Sequence, residues 1–194
     1  MDNSLEKALV ELHSHEEKIR VKAIITLREM TEEPEARHAL RSAIHDESGR
    51  IRFLAAETLA RARLYPDDVL PVLISVIEVA DQADIAIMPE SKNWRRVAAG
   101  VIGNYRDAAK AAIPVLRNAL LDPDYNVRGY AAKSLGSIGP EAIVALQDLR
   151  AARQVEEDEN IRTVYENAIK QITQSKRFIV IAQDEEGNNN NDED

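Results

Sequence analysis

The sequence predicts an all-α protein, an α-solenoid (α-α superhelix) of about five helix pairs followed by a disordered acidic C-terminal tail. Three observations lead to this fold class. An arginine-centred motif recurs five times, and apolar residues around each copy follow helical spacing. Of the 194 residues in the chain, 44% are hydrophobic and none is cysteine. This composition supports a buried core without a disulfide framework, and a repeat of this length indicates stacked helix pairs.

The repeat is marked by one arginine in each copy, at spacings of 32, 43, 33 and 34 residues. The third residue after the marker is alanine in the first four copies. The seventh residue after it is leucine or isoleucine in all five. Because these positions share one face of an α-helix, each copy contains a helix, called helix B, with a small residue where backbones approach. The markers are Arg20, Arg52, Arg95, Arg128 and Arg162.

A second helix, called helix A, precedes each helix B. In the first repeat its apolar residues are Leu5, Leu9 and Leu12, and the other repeats show the same three- and four-residue steps. Pro71 and Pro114 stand in two of these helices, and because proline is tolerated in the first helical turn, they predict where those helices begin. One pair cannot bury its apolar stripe alone, so we expect successive pairs to stack.

We expect residues 1–183 to form a single solenoid. The predicted repeats cover residues 1–30, 31–63, 64–106, 107–139 and 140–175, followed by a capping segment, 176–183, that is β-prone and folds back onto the last pair. The tail, 184–194, has six acids and no bases, so it cannot repay its ordering entropy by burying apolar surface. The alternative for the tail is a docking segment for a basic partner.

The other 183 residues hold 28 acids against 25 bases, which argues against general affinity for nucleic acid. The chain shows no apolar run near the roughly 20 residues that span a bilayer and no signal-peptide pattern, so we expect a soluble, cytoplasmic protein without a membrane partner.

Catalytic motifs are missing from the sequence. His13 and His45 occupy equivalent places in successive repeats, which packed helices separate by about 8 to 10 Å, too far to share a zinc ion. There is no glycine-rich phosphate loop, nucleophile elbow or HExxH motif. We therefore predict no catalytic residue, no metal and no cofactor, and a protein that is not an enzyme.

The most complete repeat reads DPDYNVR from Asp122 to Arg128, then Ala131-Ala132, then LGSIG from Leu135. It resembles the short HEAT-like repeat named after the phycobilisome lyase subunits (the PBS lyase, or E-Z, type), and the resemblance extends over all five copies. It implies that an acid six residues before the marker caps helix B and pairs with arginines of the same or the adjacent repeat. The implied residues, here called the arginine ladder, are Arg20, Asp46, Arg52, Asp122, Arg128 and Arg162; ligand binding by the arginines is the alternative.

The same resemblance implies that helix B lines a concave surface. We predict a partner-binding stripe there, because mixed charge with scattered apolar residues suits a protein or peptide better than a phosphate backbone. An ordinary solvated helix face is the alternative. The stripe comprises Lys22, Glu29, Leu54, Glu57, Arg61, Val97, Asn104, Tyr130 and Lys133.

The third repeat contains about ten additional residues between its helices, in the run from Asp81 to Ser91. An enlarged loop of this kind often touches a partner, although loops also lengthen at small free-energy cost. Trp94 replaces a core aliphatic residue, so it is either a larger buried hydrophobe or part of a contact. The predicted loop contacts are Ile85, Ile87, Met88, Trp94, Arg95 and Arg96.

The sequence thus favours a non-catalytic scaffold that binds a protein or peptide on the helix-B surface. Two alternatives come from the resemblance. The first is a bilin lyase-like subunit or chaperone that handles a tetrapyrrole on a phycobiliprotein, in which case the partner is a bilin-bearing protein. The second is a DNA-lesion-binding HEAT-like protein, which the near-balanced charge disfavours.

Overall fold

The computed structural model describes residues 3–78 and 91–188, with side chains described for residues 4–78 and 94–174. These residues form helices and turns, and no strand occurs among them. They divide into two compact units, an N-terminal unit, Met1–Tyr105, and a C-terminal unit, Arg106–Asp194.

The N-terminal unit contains three helix pairs. Within each pair the two helices pack against each other, and the second helices also pack in a row, α2 against α4 and α4 against α6. This is the stacking that the repeat predicts. The helices are α1 (Asn3–Glu11), α2 (Glu17–Arg28), α3 (Pro34–Ala43), α4 (Gly49–Arg61), α5 (Pro66–Glu78) and α6 (Ser91–Ile102).

The C-terminal unit contains two further pairs, in which 3-10 segments precede the first helices. α7 packs against α8, α9 packs against α10, and α8 packs along α10. The first 3-10 segment (Gly103–Ala112) begins in the N-terminal unit and is kinked at Arg106. The other elements are α7 (Ile113–Ala119), α8 (Tyr125–Ile138), a second 3-10 segment (Gly139–Ala145), α9 (Leu146–Val155) and α10 (Glu159–Asn188).

The predicted core positions are buried. The alanine three residues beyond the marker has no exposed surface in any of the first four repeats, and neither has the leucine or isoleucine seven beyond. In the last repeat Tyr165 takes the place of the alanine and is also fully buried. The helical periodicity read from the sequence is therefore confirmed by the packing.

The turns before the second helices are closed by side chains. Ser48 and Asp124 are the N-caps of α4 and α8, and each accepts a backbone N–H of the first turn. Asp46 and Asp122 accept the N–H two residues further on, at 2.8 Å in both cases. The acid six residues before the marker thus closes the turn, whereas the cap stands four residues before the marker. Ser48 and Asp124 accept N–H groups inside the helix, while Asp46 and Asp122 accept the N–H groups of these two caps.

One predicted helix start is wrong. α5 begins at Pro66, so Pro71 lies inside the helix rather than in its first turn. Pro71 is tolerated there on an exposed side of the helix, where water can satisfy the carbonyl that lacks its N–H partner. Pro114 does stand in the first turn of α7, as predicted.

The end of the chain differs from the expected β-prone cap. α10 continues to Asn188 and takes in the whole segment 176–183, which is therefore helical rather than extended. It also includes residues 184–188 of the acidic tail. The remaining tail residues, 189–194, and loop residues 79–90 lie outside the described residues.

Candidate functional site

In the N-terminal unit the marker arginine of the first repeat joins two successive turns. Arg20 is 5% exposed, and its Nη1 donates to the carbonyl oxygens of Ser14 and His15 at 2.9 and 3.3 Å. Its Nη2 donates to Asp46 Oδ1 at 3.0 Å, and its Nε lies 3.0 Å from Asp46 Oδ2. Arg20 therefore binds its own turn with one edge and the acid of the next repeat with the other.

The C-terminal unit repeats this arrangement with a glutamate. Arg128 Nη1 donates to the carbonyl oxygen of Asp122 at 2.9 Å, while Nε and Nη2 donate to the two carboxylate oxygens of Glu156 at 2.7 Å each. The hydroxyl of Tyr165 donates to the same carboxylate at 3.5 Å. The marker arginine of one repeat again holds the turn of the next.

The surroundings of this pair shift three pKa values. The hydrogen bonds from Arg128 lower the pKa of Glu156, and those bonds also raise the pKa of Arg128. Burial raises the pKa of Tyr165 to about 12. At neutral pH the pair is ionised and the phenol is neutral, so these groups hold the turns together and none of them is poised to exchange a proton.

The remaining marker arginines with described contacts also bind their own turns. Arg52 Nη1 donates to the carbonyl oxygens of Asp46 and Glu47, both at 2.9 Å. Arg162 Nε donates to the carbonyl oxygen of Glu156, and its Nη1 lies 3.2 Å from Glu159 Oε2. In four repeats, therefore, the guanidinium of the marker arginine donates to carbonyl oxygens of the turn that precedes it.

The predicted partner-binding stripe is partly exposed. Lys22, Glu29, Arg61, Tyr130 and Lys133 are exposed, with Tyr130 at 41%. Lys22, Glu29 and Arg61 belong to the N-terminal unit, and Tyr130 and Lys133 belong to the C-terminal unit.

Other residues of the stripe are less accessible. Leu54, Val97 and Asn104 are half-buried, and the amide of Asn104, beyond the end of α6, donates to the carbonyl oxygen of Ala60 at 3.3 Å.

The expectation that Glu57 is exposed is wrong. Glu57 is buried, and its carboxylate accepts from Arg28 Nη2 of α2 and from Arg61 Nε of its own helix, at 2.7 Å in both cases. The two guanidinium groups cover the carboxylate, which the helical periodicity alone placed on the outer face. Glu57 is thus a bridge between α2 and α4.

The predicted loop contacts are described only in part. Ile85, Ile87 and Met88 lie outside the described residues. Trp94 is half-buried and stacks on Phe53 of α4, with ring centroids 5.0 Å apart and an interplanar angle of 21°. Arg95 and Arg96 follow it on α6 and are both half-buried.

A surface that we did not predict lies beside the Arg128–Glu156 pair. Leu121 and Val155, each seven residues before a marker, are 80% and 77% exposed. They border a cleft of about 400 Å³ whose lining includes Arg128, Glu156 and Tyr165. The same position holds His13 and His45 in the first two repeats, so the equivalence of these positions is visible in the sequence, whereas their exposure is not.

Among the residues that the structure describes, no group of three or more histidine, cysteine, aspartate or glutamate side chains is arranged to hold a metal ion. None of the helices in that part of the chain is both long and apolar enough to cross a bilayer.

Comparisons with known proteins agree with this geometry. A family model described as HEAT repeats matches residues 5–87 and 84–170. No curated protein matches the chain significantly. An engineered protein of known structure is similar to it, with a TM-score of 0.62 and 20% identity, covering 88% of this chain and 79% of that one.

A second similar structure is the complex of CpcE and CpcF of phycocyanin lyase from Nostoc sp. PCC7120. Its TM-score is 0.63 at 23% identity, and the match covers 88% of this chain and 65% of that chain. At such identities the two likenesses show the fold, in agreement with the PBS lyase-like type of repeat. Since the family model matches most of the sequence, the chain belongs to the HEAT repeat family.

Proposed function

We propose that the protein is a non-catalytic interaction scaffold that binds a protein or peptide partner along the exposed side chains of its B helices. The single observation that carries this proposal is that large apolar side chains on those helices are left to solvent. Ile25 on α2 is 53% exposed and Tyr130 on α8 is 41% exposed. Tyrosine combines a large apolar area with a polar tip and is enriched where proteins bind each other.

Charged residues surround both apolar positions. Lys22 is exposed one turn before Ile25, and Lys133 is exposed one turn after Tyr130. An apolar centre with a polar rim is the usual composition of a non-obligate protein interface. The ion pairs of Arg20 and Arg128 hold the turns at the starts of these two helices, so binding would require little ordering.

The experiment is affinity capture with the double variant Tyr130→Ala with Lys133→Glu, followed by mass spectrometry. We expect the variant to fold normally and to lose most of the partner that the unchanged protein retains. The matched control is Val144→Ala with Lys110→Glu, which changes an exposed aliphatic residue and an exposed lysine of the same unit away from α8. Equal capture by the unchanged protein and the stripe variant would contradict the proposal.

A second candidate function is a lyase-like subunit that handles a bilin on a phycobiliprotein. The observation in its favour is the likeness to the chains of the phycocyanin lyase complex. Co-expression with a linear tetrapyrrole and a phycobiliprotein apoprotein tests it. A new visible absorption band on the apoprotein would support this candidate, and a spectrum unchanged from the control without the protein would remove it.

A further inference from the structure

The turns that carry the marker arginines differ between the two units in charge. We define a turn edge as the two eight-residue stretches that end at consecutive markers. The edge of the N-terminal unit, residues 13–20 and 45–52, has four acids and four bases. The edge of the C-terminal unit, residues 121–128 and 155–162, has six acids and two arginines, a net charge of -4.

The same two edges differ in apolar exposure. The first residue of each stretch is exposed in both units, but it is histidine at positions 13 and 45 and aliphatic at Leu121 and Val155. Single exposed aliphatic residues are common on protein surfaces and need no function. Here, however, two of them stand at equivalent positions and border the same cleft.

The Arg128–Glu156 pair also lines this cleft. Both carboxylate oxygens of Glu156 accept from Arg128 at 2.7 Å, so this part of the lining is electrically compensated. Further negative charge, here called the acidic rim, lies on the adjoining turn. There Glu157 is exposed, and the side chain of Glu159 is 81% exposed despite its contact with Arg162.

We propose that the turn edge of the C-terminal unit is a docking site for a partner segment in which aliphatic side chains alternate with lysine or arginine. Leu121 and Val155 would cover the aliphatic side chains, while the acidic rim would attract the basic ones. An acidic peptide or a nucleic acid would be repelled by the net charge of -4. This site is separate from the helix-B stripe.

The test uses fluorescence anisotropy with a labelled short synthetic peptide of leucine, lysine and glycine. Two matched peptides carry serine in place of leucine, or glutamate in place of lysine. We expect the unchanged protein to bind the leucine–lysine peptide at least tenfold more tightly than either matched peptide. No saturable binding of the first peptide up to about 1 mM would overturn the proposal.

Variants of the protein locate the binding. Leu121→Ser with Val155→Ser should weaken binding at least tenfold, and Glu157→Gln with Glu159→Gln should weaken it and reduce its dependence on salt. The matched control is His13→Ser with His45→Ser, which changes the equivalent positions of the N-terminal unit and should leave binding unchanged. Thermal unfolding verifies that each variant is folded.

The proposal is wrong if the histidine control loses as much affinity as the Leu121 and Val155 variant. It is also wrong if the latter variant is folded and binds like the unchanged protein. Binding that is lost in the Leu121 and Val155 variant, weakened in the Glu157 and Glu159 variant and kept in the histidine control supports it.

Discussion

The junction between α2 and α4 and the junction between α8 and α10 stack equivalent helices with different chemistry. Both begin with an ion pair from the marker arginine, Arg20 to Asp46 in one and Arg128 to Glu156 in the other. They differ eight residues further along. The first junction has Arg28, which binds Glu57 across the helices, whereas the second has Gly136.

At Gly136 an added Cβ would stand 2.9 Å from the backbone Cα of Ala168, closer than real Cβ atoms approach. The second junction therefore closes by direct backbone approach and the first by a charged bridge. The comparison teaches that one helix repeat tolerates two ways of joining its copies, because each position needs only a partner that fits the neighbouring repeat. Four predictions test this difference, in order of decreasing expected effect.

The largest effect is expected from Glu156→Ala. It leaves the guanidinium of Arg128 partly buried without its carboxylate and should lower the free energy of unfolding by about 3 kcal/mol, measured by urea denaturation. Asp46→Ala should cost less, since Glu47 remains 3.3 Å from Arg20 and can take over the charge. Equal losses in both variants would show that the two ion pairs have the same importance.

Gly136→Val should lower the free energy of unfolding by about 2 kcal/mol, because the new side chain meets the backbone of α10. Gly129→Ala is the matched control on the same helix. Its Cβ would meet only Ile161 Cδ1, at 2.8 Å, and the end of that side chain can move. If the two variants unfold at the same urea concentration, close backbone approach at Gly136 is not what holds the second junction.

The pH dependence of stability should reveal the Glu156 pair. Because Arg128 lowers the pKa of Glu156 in the folded protein, the unfolded chain binds the proton more readily. The stabilisation is complete above the ordinary glutamate value of 4.5 and is lost as the pH falls through the lower pKa of the folded state.

Glu156→Gln should remove the part of the acid-induced loss of stability that comes from this pair. Urea denaturation at a series of pH values below neutrality would measure it. Glu141→Gln, at an exposed position of the same unit, is the control. An acid profile of the Glu156 variant parallel to that of the unchanged protein would contradict the assignment.

The smallest effect concerns the ends of α4 and α8, eleven residues beyond their markers. There the first helix has Arg63 with φ of 58°, and the second has Gly139 with φ of 83°. Arg63→Gly should raise the free energy of unfolding by about 0.5 to 1 kcal/mol, because the left-handed region costs arginine more than glycine. Gly139→Ala should lower the free energy of unfolding by a similar amount. Thermal or urea unfolding measures both effects. A destabilised Arg63→Gly variant would show that the arginine side chain outweighs the backbone strain.

Much of the fold was predictable from the sequence because helical periodicity is a local property. The positions of Ala23 and Leu27 relative to Arg20, and their counterparts in later repeats, were enough to place the buried faces of the B helices. Pro71 misled the prediction of a helix start, since a proline on an exposed face can also lie inside a helix.

The candidate sites were less predictable. The register seven residues before each marker was visible in the sequence, but the exposure of Leu121 and Val155 and the cleft between them were not. Exposure depends on what the neighbouring turns leave uncovered, and no spacing rule contains that information.

The sequence by itself determined that this protein repeats a helix pair and which residues face its core, because both follow from the 3.6-residue period of the helix. Only the tertiary structure decided that Arg28 and Arg61 bury Glu57 and that Gly136 lets α8 approach α10. The contacts of Arg28 with Glu57 and of Gly136 with Ala168 join residues about 30 positions apart in sequence, and the geometry between two packed repeats selects them.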